Sequence, residues 1–290
     1  MKNKSIYNNN TVFISGAAGG LGKVLVKEFA SLGYKVIAVD IDAHGLAEFD
    51  SAENIITETL DVTNAVQVNL FIKQLGPDIK DLDTLLCLAG IYDTYPVTEA
   101  IPDLLKKMMA VNMLGTAVLV QALLEPLRKS NGRVVVVSSE SYKIQAMFQP
   151  YMISKASLEA YCRVARQELA LKDIKLIVIR PGAIKTPLLN WMKQEPDTVK
   201  FPVYQKEYRK SWDRSVKMVG HITAPEKVAR RIILASTVSR PKRVYRINNN
   251  PFLALITFLP AGLIDRLIVY LFRSKNKREK IITDGGTYQL

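Results

Sequence analysis

A doubly wound α/β domain is the fold these 290 residues predict: a single parallel sheet of about seven strands, helices on both faces, and a hydrophobic helical extension at the C-terminus. Three observations carry that reading. Short apolar runs of strand length alternate with segments of helical period along most of the chain. A glycine-rich turn follows the first run directly and opens the first helix. Small, acidic and hydroxyl residues collect where the runs end, the edge at which parallel sheets bind ligands.

The first strand is Thr11 to Ser15, and Gly16-Ala-Ala-Gly-Gly20-Leu-Gly22 follows at once. The next helix carries an apolar stripe at Leu21, Leu25, Phe29 and Leu32. Glycines let a backbone come close to a phosphate, and the free N–H groups of the helix start point at it. The spacing is Gly-x-x-x-Gly-x-Gly, not the Gly-x-Gly-x-x-Gly dinucleotide fingerprint. The second strand, Lys35 to Val39, ends in Asp40, 18 residues past Gly22, where a ribose-binding acid is expected. A carboxylate there accepts from ribose hydroxyls and repels a 2′-phosphate. No arginine or lysine stands at Ala17 or Ile41 to attract that phosphate, so NAD is favoured over NADP.

Asn54 to Leu60 is a third strand closing at Asp61-Val62-Thr63, with Asp61 placed for an adenine amino group and Val62 for the ring. Thr84 to Leu88 is a fourth, leading to Ala89-Gly90, whose small side chains allow a cofactor close passage. A long amphipathic helix is expected from about Pro102 to Leu127, with Val111, Gly115, Val118 and Ala122 on one face and Gly115 admitting another backbone. Asn112 breaks its apolar character and is expected to bind water or backbone near an active centre.

The fifth strand, Arg133 to Val137, ends in Ser138-Ser139, and Tyr151-Met-Ile-Ser-Lys155 follows after a connector. Tyr151 and Lys155 are one helical turn apart on the same face. Their helix continues to Leu171 with a stripe of Leu158, Cys162, Ala165 and Leu169, which makes Cys162 a core residue. The sixth strand, Lys175 to Ile179, runs into Arg180-Pro-Gly182-Ala-Ile184-Lys-Thr186. Residues 187–224 lack a strong period and carry Trp191, Phe201, Tyr204, Tyr208 and Trp212. Ala224-Pro225 starts another helix, and Arg243 to Ile247 is the last strand.

A phenol beside an ammonium is a proton-transfer pair. The cation favours phenolate and lowers the tyrosine pKa, towards a useful working pH. A serine at the strand end can hold a carbonyl or alcohol oxygen against that phenol. Tyr-x-x-x-Lys alone is a common accident of helical spacing. Its coincidence with the glycine turn, Asp40, Asp61, Gly90, Ser139 and Pro181-Gly182, all at strand ends, is not.

Composition narrows the partners. The two cysteines, Cys87 and Cys162, lie in apolar stretches with no Cys-x-x-Cys pair, and His44 and His221 have no ligand-spaced neighbours. A disulfide framework and a metal site are therefore not expected, and a reducing, cytoplasmic setting is. Met1 to Asn10 is polar and lacks the apolar run of a signal peptide. A net charge of +13 points to an anionic partner or surface, and no motif points to nucleic acid. Pro251 to Ile264 is almost wholly apolar, Leu267, Ile268, Leu271 and Phe272 continue it, and Arg273 to Lys280 is basic. Pro260, Gly262, Asp265 and Arg266 interrupt the run, so a spanning helix is not expected. Residues 251–280 fit peripheral docking on an anionic membrane, and equally a cover for the substrate pocket or a subunit interface. The chain thus divides into a catalytic domain, 1–250, and an extension, 251–290.

Together, Ser15-Gly16-x-x-x-Gly20-x-Gly22, Asp61-Val62, Asn112, Ser138-Ser139, Tyr151-x-x-x-Lys155 and Pro181-Gly182 resemble the short-chain dehydrogenase/reductase family over roughly residues 9–247. The segment Arg180 to Leu188 and the hydrophobic C-terminus are similar to the hydroxysteroid and retinol dehydrogenase relatives. The resemblance implies a Rossmann-type fold and NAD(P)-dependent interconversion of a hydrophobic alcohol with its ketone or aldehyde. It implies Tyr151 as acid/base, Lys155 as the residue that lowers its pKa and bonds the nicotinamide ribose, and Ser139, with Ser138 as the alternative, orienting the substrate oxygen. Asn112 would hold a water in the proton relay. Gly16, Gly20, Leu21, Gly22, Asp40, Asp61, Val62, Ala89, Gly90, Pro181, Gly182, Ile184 and Thr186 would line the cofactor. A homo-oligomer is implied as well, and so is a substrate lid over residues 187–224, whose aromatics would suit a bulky apolar alcohol or ketone. The family's Asn-Asn-Ala-Gly is Cys87-Leu88-Ala89-Gly90 here, so sheet packing at that point is expected to differ. Two other readings stand beside this one: an NADP-preferring carbonyl reductase, and a nucleotide-sensing module without catalysis.

Overall fold

The computed structural model describes residues 10–144, 146–219, 222–248 and 259–273. The polar N-terminus, the apolar stretch 251–258 and the basic run 274–280 lie outside the described residues. Seven strands, β1 (Thr11–Ser15), β2 (Lys35–Asp40), β3 (Ile55–Thr59), β4 (Thr84–Cys87), β5 (Arg133–Val137), β6 (Lys175–Pro181) and β7 (Val244–Ile247), form one parallel sheet in the order β3-β2-β1-β4-β5-β6-β7. The helices are α1 (Gly20–Ser31), α2 (Ala43–Leu46), α3 (Ala65–Leu75), α4 (Pro102–Met109), α5 (Gly115–Ala122), α6 (Leu124–Lys129), α7 (Pro150–Ala170), α8 (Gln205–Met218), α9 (Pro225–Thr237) and α10 (Ala261–Phe272). Strand order reverses between β1 and β4, so the loops leaving those two strands diverge and open a crevice between them.

Each inner strand is apolar on both faces because each face is covered. Phe13, Ile37, Leu85, Cys87, Val134, Val136, Leu176 and Val178 join the core under α3, α5 and α7, which includes Leu158, Cys162, Ala165 and Leu169. Their alternating neighbours Val12, Ile14, Val36, Ala38, Leu86, Val135, Ile177 and Ile179 join the core under α1 and α9. Continuous rather than alternating hydrophobicity is what two-sided burial requires. In α1 the expected stripe holds at Leu21, Leu25 and Phe29, but Leu32, which follows the helix, is 46% exposed, and Val26 is buried in the stripe.

The long helix expected over Pro102 to Leu127 is broken twice. Ala110–Leu114 forms a π turn between α4 and α5. Its wider turn rotates the following face, so that Asn112, Gly115, Thr116, Leu119 and Val120 are buried while Val111, Val118 and Ala122 are only partly so. The second break is at Leu123, φ −102° and ψ 10°. Pro126 explains it, since a proline ring clashes with the carbonyl four residues earlier, here that of Ala122. Gly115 does admit a close neighbour, but it is a side chain: a Cβ there would stand 2.7 Å from Cγ2 of Val62.

The substrate-loop region is more regular than expected. It holds short 3-10 turns at Pro187–Lys193 and Thr198–Lys200 and the 14-residue helix α8. Beyond β7, no residue of α10 is buried. That helix leans on α8, with the Arg214 guanidinium 5.0 Å from the centre of the Phe272 ring. Among the described residues no helix is long and apolar enough to cross a membrane.

Candidate active site

The glycine turn fits the crevice because it lacks side chains. Gly16 has φ +75°, and a Cβ on it would lie 2.7 Å from the Ala89 backbone nitrogen at the exit of β4. A Cβ on Gly22 would fall 2.0 Å from the Gly16 carbonyl oxygen, so α1 could not begin so close to β1 with any other residue. Where the resemblance implied asparagines, Ser15 ties β1 to β4: its hydroxyl donates to the Leu86 carbonyl and accepts from the Leu88 amide, both at 3.3 Å. Asp40, at the end of β2, accepts from the amides of Ala18 (3.0 Å) and Asp42 (3.1 Å). Its carboxylate is thereby fixed beside the glycine turn. Ile41 is 70% exposed, and the lysines of α1 nearest this corner, Lys23 and Lys27, are both paired to Glu48. Asp61 accepts from the amide and hydroxyl of Thr63 (2.9 and 2.8 Å) in the turn after β3, and Val62 packs on Gly115.

Across the crevice, β5 and α7 present the polar centre. Pro150 starts α7, where a missing N–H costs nothing, and places Tyr151 and Lys155 in its first two turns. Ser139, not Ser138, faces the phenol: Ser139 hydrogen-bonds Tyr151, and its Oγ lies 2.8 Å from that of Ser141. Ser138 points into the core, its hydroxyl buried without a partner among the described residues. Lys155 is buried, donates to the Val137 carbonyl at 3.0 Å, and sets its ammonium 5.6 Å from the centre of the Tyr151 ring.

The electrostatics correct one expectation. Burial pushes the Tyr151 phenol above its ordinary value, and the bond from Ser139 only partly opposes it. The cation does not offset this: the ammonium stands 5.6 Å from the ring centre and donates to the Val137 carbonyl, with no hydrogen bond to the phenol oxygen. Burial also lowers Lys155 to about 8, against the weaker pull of Cys162 and Glu159.

Asn112 binds backbone, one of the two partners expected of it. Its Oδ1 accepts from the Ile91 amide (2.8 Å), and its Nδ2 donates to the Ile91 carbonyl and to Ser154 Oγ (both 2.9 Å). Both amide protons are used, so the side chain clamps the β4 exit loop, the π turn and α7 together. A water at this residue would have to use a remaining lone pair. Gly90 is where these groups converge: a Cβ on it would lie 3.3 Å from Asn112 Oδ1 and 3.8 Å from Lys155 Nζ. From the β6 side, Gly182 is bonded to the Ile247 carbonyl (2.9 Å), Ile184 bridges to Thr223, and Thr186 stands 3.1 Å from where a Gly20 Cβ would be. Pro181 closes β6 below them. Contacts thus join Gly16 to Ala89, Gly90 to Asn112 and Lys155, and Gly20 to Thr186, while Val62 is joined to Gly115.

Sequence reading missed a second tier. Tyr92 packs its ring on Tyr151, centroids 4.9 Å apart, and donates to Gln149 Oε1 at 2.9 Å. Gln149 in turn donates to Ser215 of α8 at 3.3 Å. Phe148, with φ +62°, sets its ring 5.6 and 5.7 Å from Tyr204 and Tyr208. Single polar or aromatic residues in a connector carry no period, so the only available signal was proximity in sequence to Gly90 and Tyr151.

Comparison with known proteins agrees with this geometry. The family model described as short chain dehydrogenase matches residues 10–197. Estradiol 17-beta-dehydrogenase 2 of Rattus norvegicus is 28% identical over 92% of this chain and 76% of its own length. Retinol dehydrogenase 5 of Homo sapiens is 25% identical over 91% of this chain and 89% of its own. A short-chain dehydrogenase from Streptomyces avermitilis superposes with a TM-score of 0.73 at 21% identity, over 91% of this chain and 96% of that one, and shares the fold.

Proposed function

Because the chain belongs to the short chain dehydrogenase family and is an NAD(P)-dependent oxidoreductase of CH–OH groups, we propose that it interconverts a bulky apolar alcohol with its carbonyl, a secondary alcohol with its ketone or a primary one with its aldehyde, using NAD. The observation that carries this is the group Ser139–Tyr151–Lys155 at the crevice beside the glycine turn. Steroids, retinoids and long-chain lipids are the substrate classes, because Tyr92 lays an aromatic ring on the phenol and residues 187–224 are rich in further aromatics. The named activities of the rat and human relatives support the same classes.

The dinucleotide supplies the hydride chemistry. The Gly16–Gly22 turn and Leu21 receive its phosphates at the start of α1. Asp40 accepts from the adenosine ribose and turns away a 2′-phosphate, which is the reason for placing NAD before NADP. Asp61 and Val62 sit toward the adenine, while Ala89, Gly90, Pro181, Gly182, Ile184 and Thr186 line the nicotinamide half. Ser139 orients the substrate oxygen. Tyr151, protonated at neutral pH, donates to a carbonyl oxygen in reduction. The oxidative direction needs the phenolate, and the hydrogen bond from Ser139 is the contact that favours it. Positioned acid–base groups of this kind contribute about 10²–10⁴-fold.

Residues 1–250 form the catalytic domain with 187–224 as lid, in a cytoplasmic homo-oligomer. The extension docks peripherally on anionic membrane, since Leu263, Leu267 and Tyr270 of α10 are exposed and basic residues follow it. Deleting residues 251–290 and sedimenting with anionic vesicles tests that point: unchanged co-sedimentation refutes it. The central test is a panel of steroids, retinol and long-chain alcohols scored by NADH formation. Turnover that Tyr151→Phe abolishes is expected. Turnover undiminished in Tyr151→Phe, or none on the whole panel, would overturn the reading.

A further inference from the structure

At the β7 edge of the sheet lies a second cleft, with a volume of about 750 Å³. Three elements enclose it: α9 through Arg231 and Leu234, the turn before β7 through Arg240 and Lys242, and the β6–β7 pair through Arg180 and Arg246. No residue of the catalytic group lines it. Five of its side chains are cationic and none is a carboxylate.

An edge strand often carries lysine or arginine merely to block pairing with another sheet. That accounts for charge on β7 but not for Arg231 on α9 or Arg180 on β6. Register sharpens the point. Arg180 and Arg246 are direct neighbours across the β6–β7 pair, and like charges so placed destabilise a sheet. Arg180 is relieved by a two-pronged ion pair with Glu159, both contacts 2.8 Å, and its guanidinium lies 4.2 Å from the centre of the Tyr142 ring. Among the described residues no carboxylate stands within ion-pair distance of Arg231, Arg240, Lys242 or Arg246. The turn that carries them is itself fixed: the Lys242 amide donates to the Tyr245 hydroxyl at 3.2 Å, and Arg133 holds the carbonyls of Ala235 and Val238 at the end of α9 (3.1 and 3.0 Å). Arg231, Arg240, Lys242 and Arg246 are exposed around one cleft, where an anion can meet several of them at once. Guanidinium forks match phosphate oxygens in pairs, and the volume is within the range of ligand pockets. A second copy of this chain is a poor occupant, because it would bring the same cations.

We propose that this cleft binds a ligand carrying more than one phosphate group, either a phosphorylated lipid headgroup or a free polyphosphate. The full chain, held in saturating NADH and NADPH so that the glycine turn is filled, is titrated calorimetrically with inositol hexakisphosphate. It is then sedimented with phosphatidylcholine vesicles containing either a phosphatidylinositol bisphosphate or phosphatidylserine. Binding of the soluble probe is expected, weakened at least about tenfold by R240E/R246E, with the alcohol panel unaffected. Retention on bisphosphate vesicles in excess of that on phosphatidylserine vesicles, where residues 251–290 alone would hold the chain, and lost in that variant, identifies a lipid source. The soluble probe alone, lost in the variant, identifies a free one. Equal binding of the soluble probe by native chain and variant, or no binding of it, would refute the site. R240Q/R246Q gives the same comparison if charge reversal impairs folding.

Discussion

Replacing Lys155 by methionine should make the protein more stable while ending its chemistry. The ammonium is buried, and burial brings its pKa from 10.5 to about 8. At about 1.4 kcal/mol for each tenfold change in proton affinity, holding the charged form there costs the native state about 3 kcal/mol. Methionine fills nearly the same space without the charge but leaves the Val137 carbonyl without its partner, a loss of about 1 kcal/mol. At pH 7 the variant should therefore gain about 2 kcal/mol. The sign of the pH dependence is fixed by linkage. Between about pH 8 and 10.5 the unfolded chain binds the lysine proton and the native chain does not, so native stability rises with pH across that window. Below pH 8 both forms are charged and the full cost remains. The gap between variant and native should thus be widest below pH 8, close through the window, and above it reverse by about 1 kcal/mol, the hydrogen bond to Val137 that only the native chain keeps. Urea denaturation of both proteins by circular dichroism at a series of pH values from 7 to about 10.5 measures the gap, and other titrations cancel in the difference. A gap that does not change with pH, or a native protein more stable at pH 7, would refute the buried-cation account.

Asp40→Ala should remove the acceptor that holds the amides of Ala18 and Asp42, weakening NAD roughly tenfold or more while NADP loses less; calorimetry with both nucleotides checks it, and an unchanged ratio counts against the assigned selectivity. Tyr92→Phe should strand the buried Gln149 oxygen at a cost of about 1–3 kcal/mol. Because Gln149 also holds Ser215 on α8, steady-state kinetics should show a larger change in KM than in kcat. Gly115→Ala should drive a methyl to within 2.7 Å of Val62, an overpacking cost of about 1–3 kcal/mol seen as a lower urea midpoint.

Elements built on a repeating burial pattern were legible, and features set by a single contact were not. The strands show themselves because both their faces are buried, so Val134 to Val137 reads as a strand without further help. The polar centre was legible because Tyr151, Lys155, Ser139 and Asn112 interrupt otherwise apolar patterns. Helix α8 was not. Its buried residues are Tyr208 and Ser211, with Trp212 and Val216 half-buried, and a stripe that includes a serine and so few apolar residues declares no period. The π turn at Ala110–Leu114 has no sequence signal, since it is held by Asn112 reaching Ile91 and Ser154, residues 21 and 42 positions away. The raised phenol was misjudged for the same reason. Sequence gives the spacing of Tyr151 and Lys155, whereas the direction of the ammonium depends on the Val137 carbonyl, which only the fold supplies.

The features that cost stability lie together. The buried ammonium of Lys155, the π turn at Asn112 and the left-handed backbone of Phe148 all border the same crevice. An aromatic residue at φ +62° is strained, and it persists because its carbonyl accepts from the Tyr95 amide at 3.2 Å while its ring is held by Tyr204 and Tyr208. Tyr208 lies on α8 and Tyr204 just before it, and Gln149, the residue after Phe148, holds α8 through Ser215. Helices α8 and α7 are therefore coupled through one connector, Phe148-Gln149-Pro150, which ends where α7 begins. Any movement of α8 must release the contacts that stabilise Phe148, and the strain then acts on the residues immediately before Tyr151. The rest of the sheet, with both faces filled, supplies the stability that lets so much strain and desolvation be gathered at one edge.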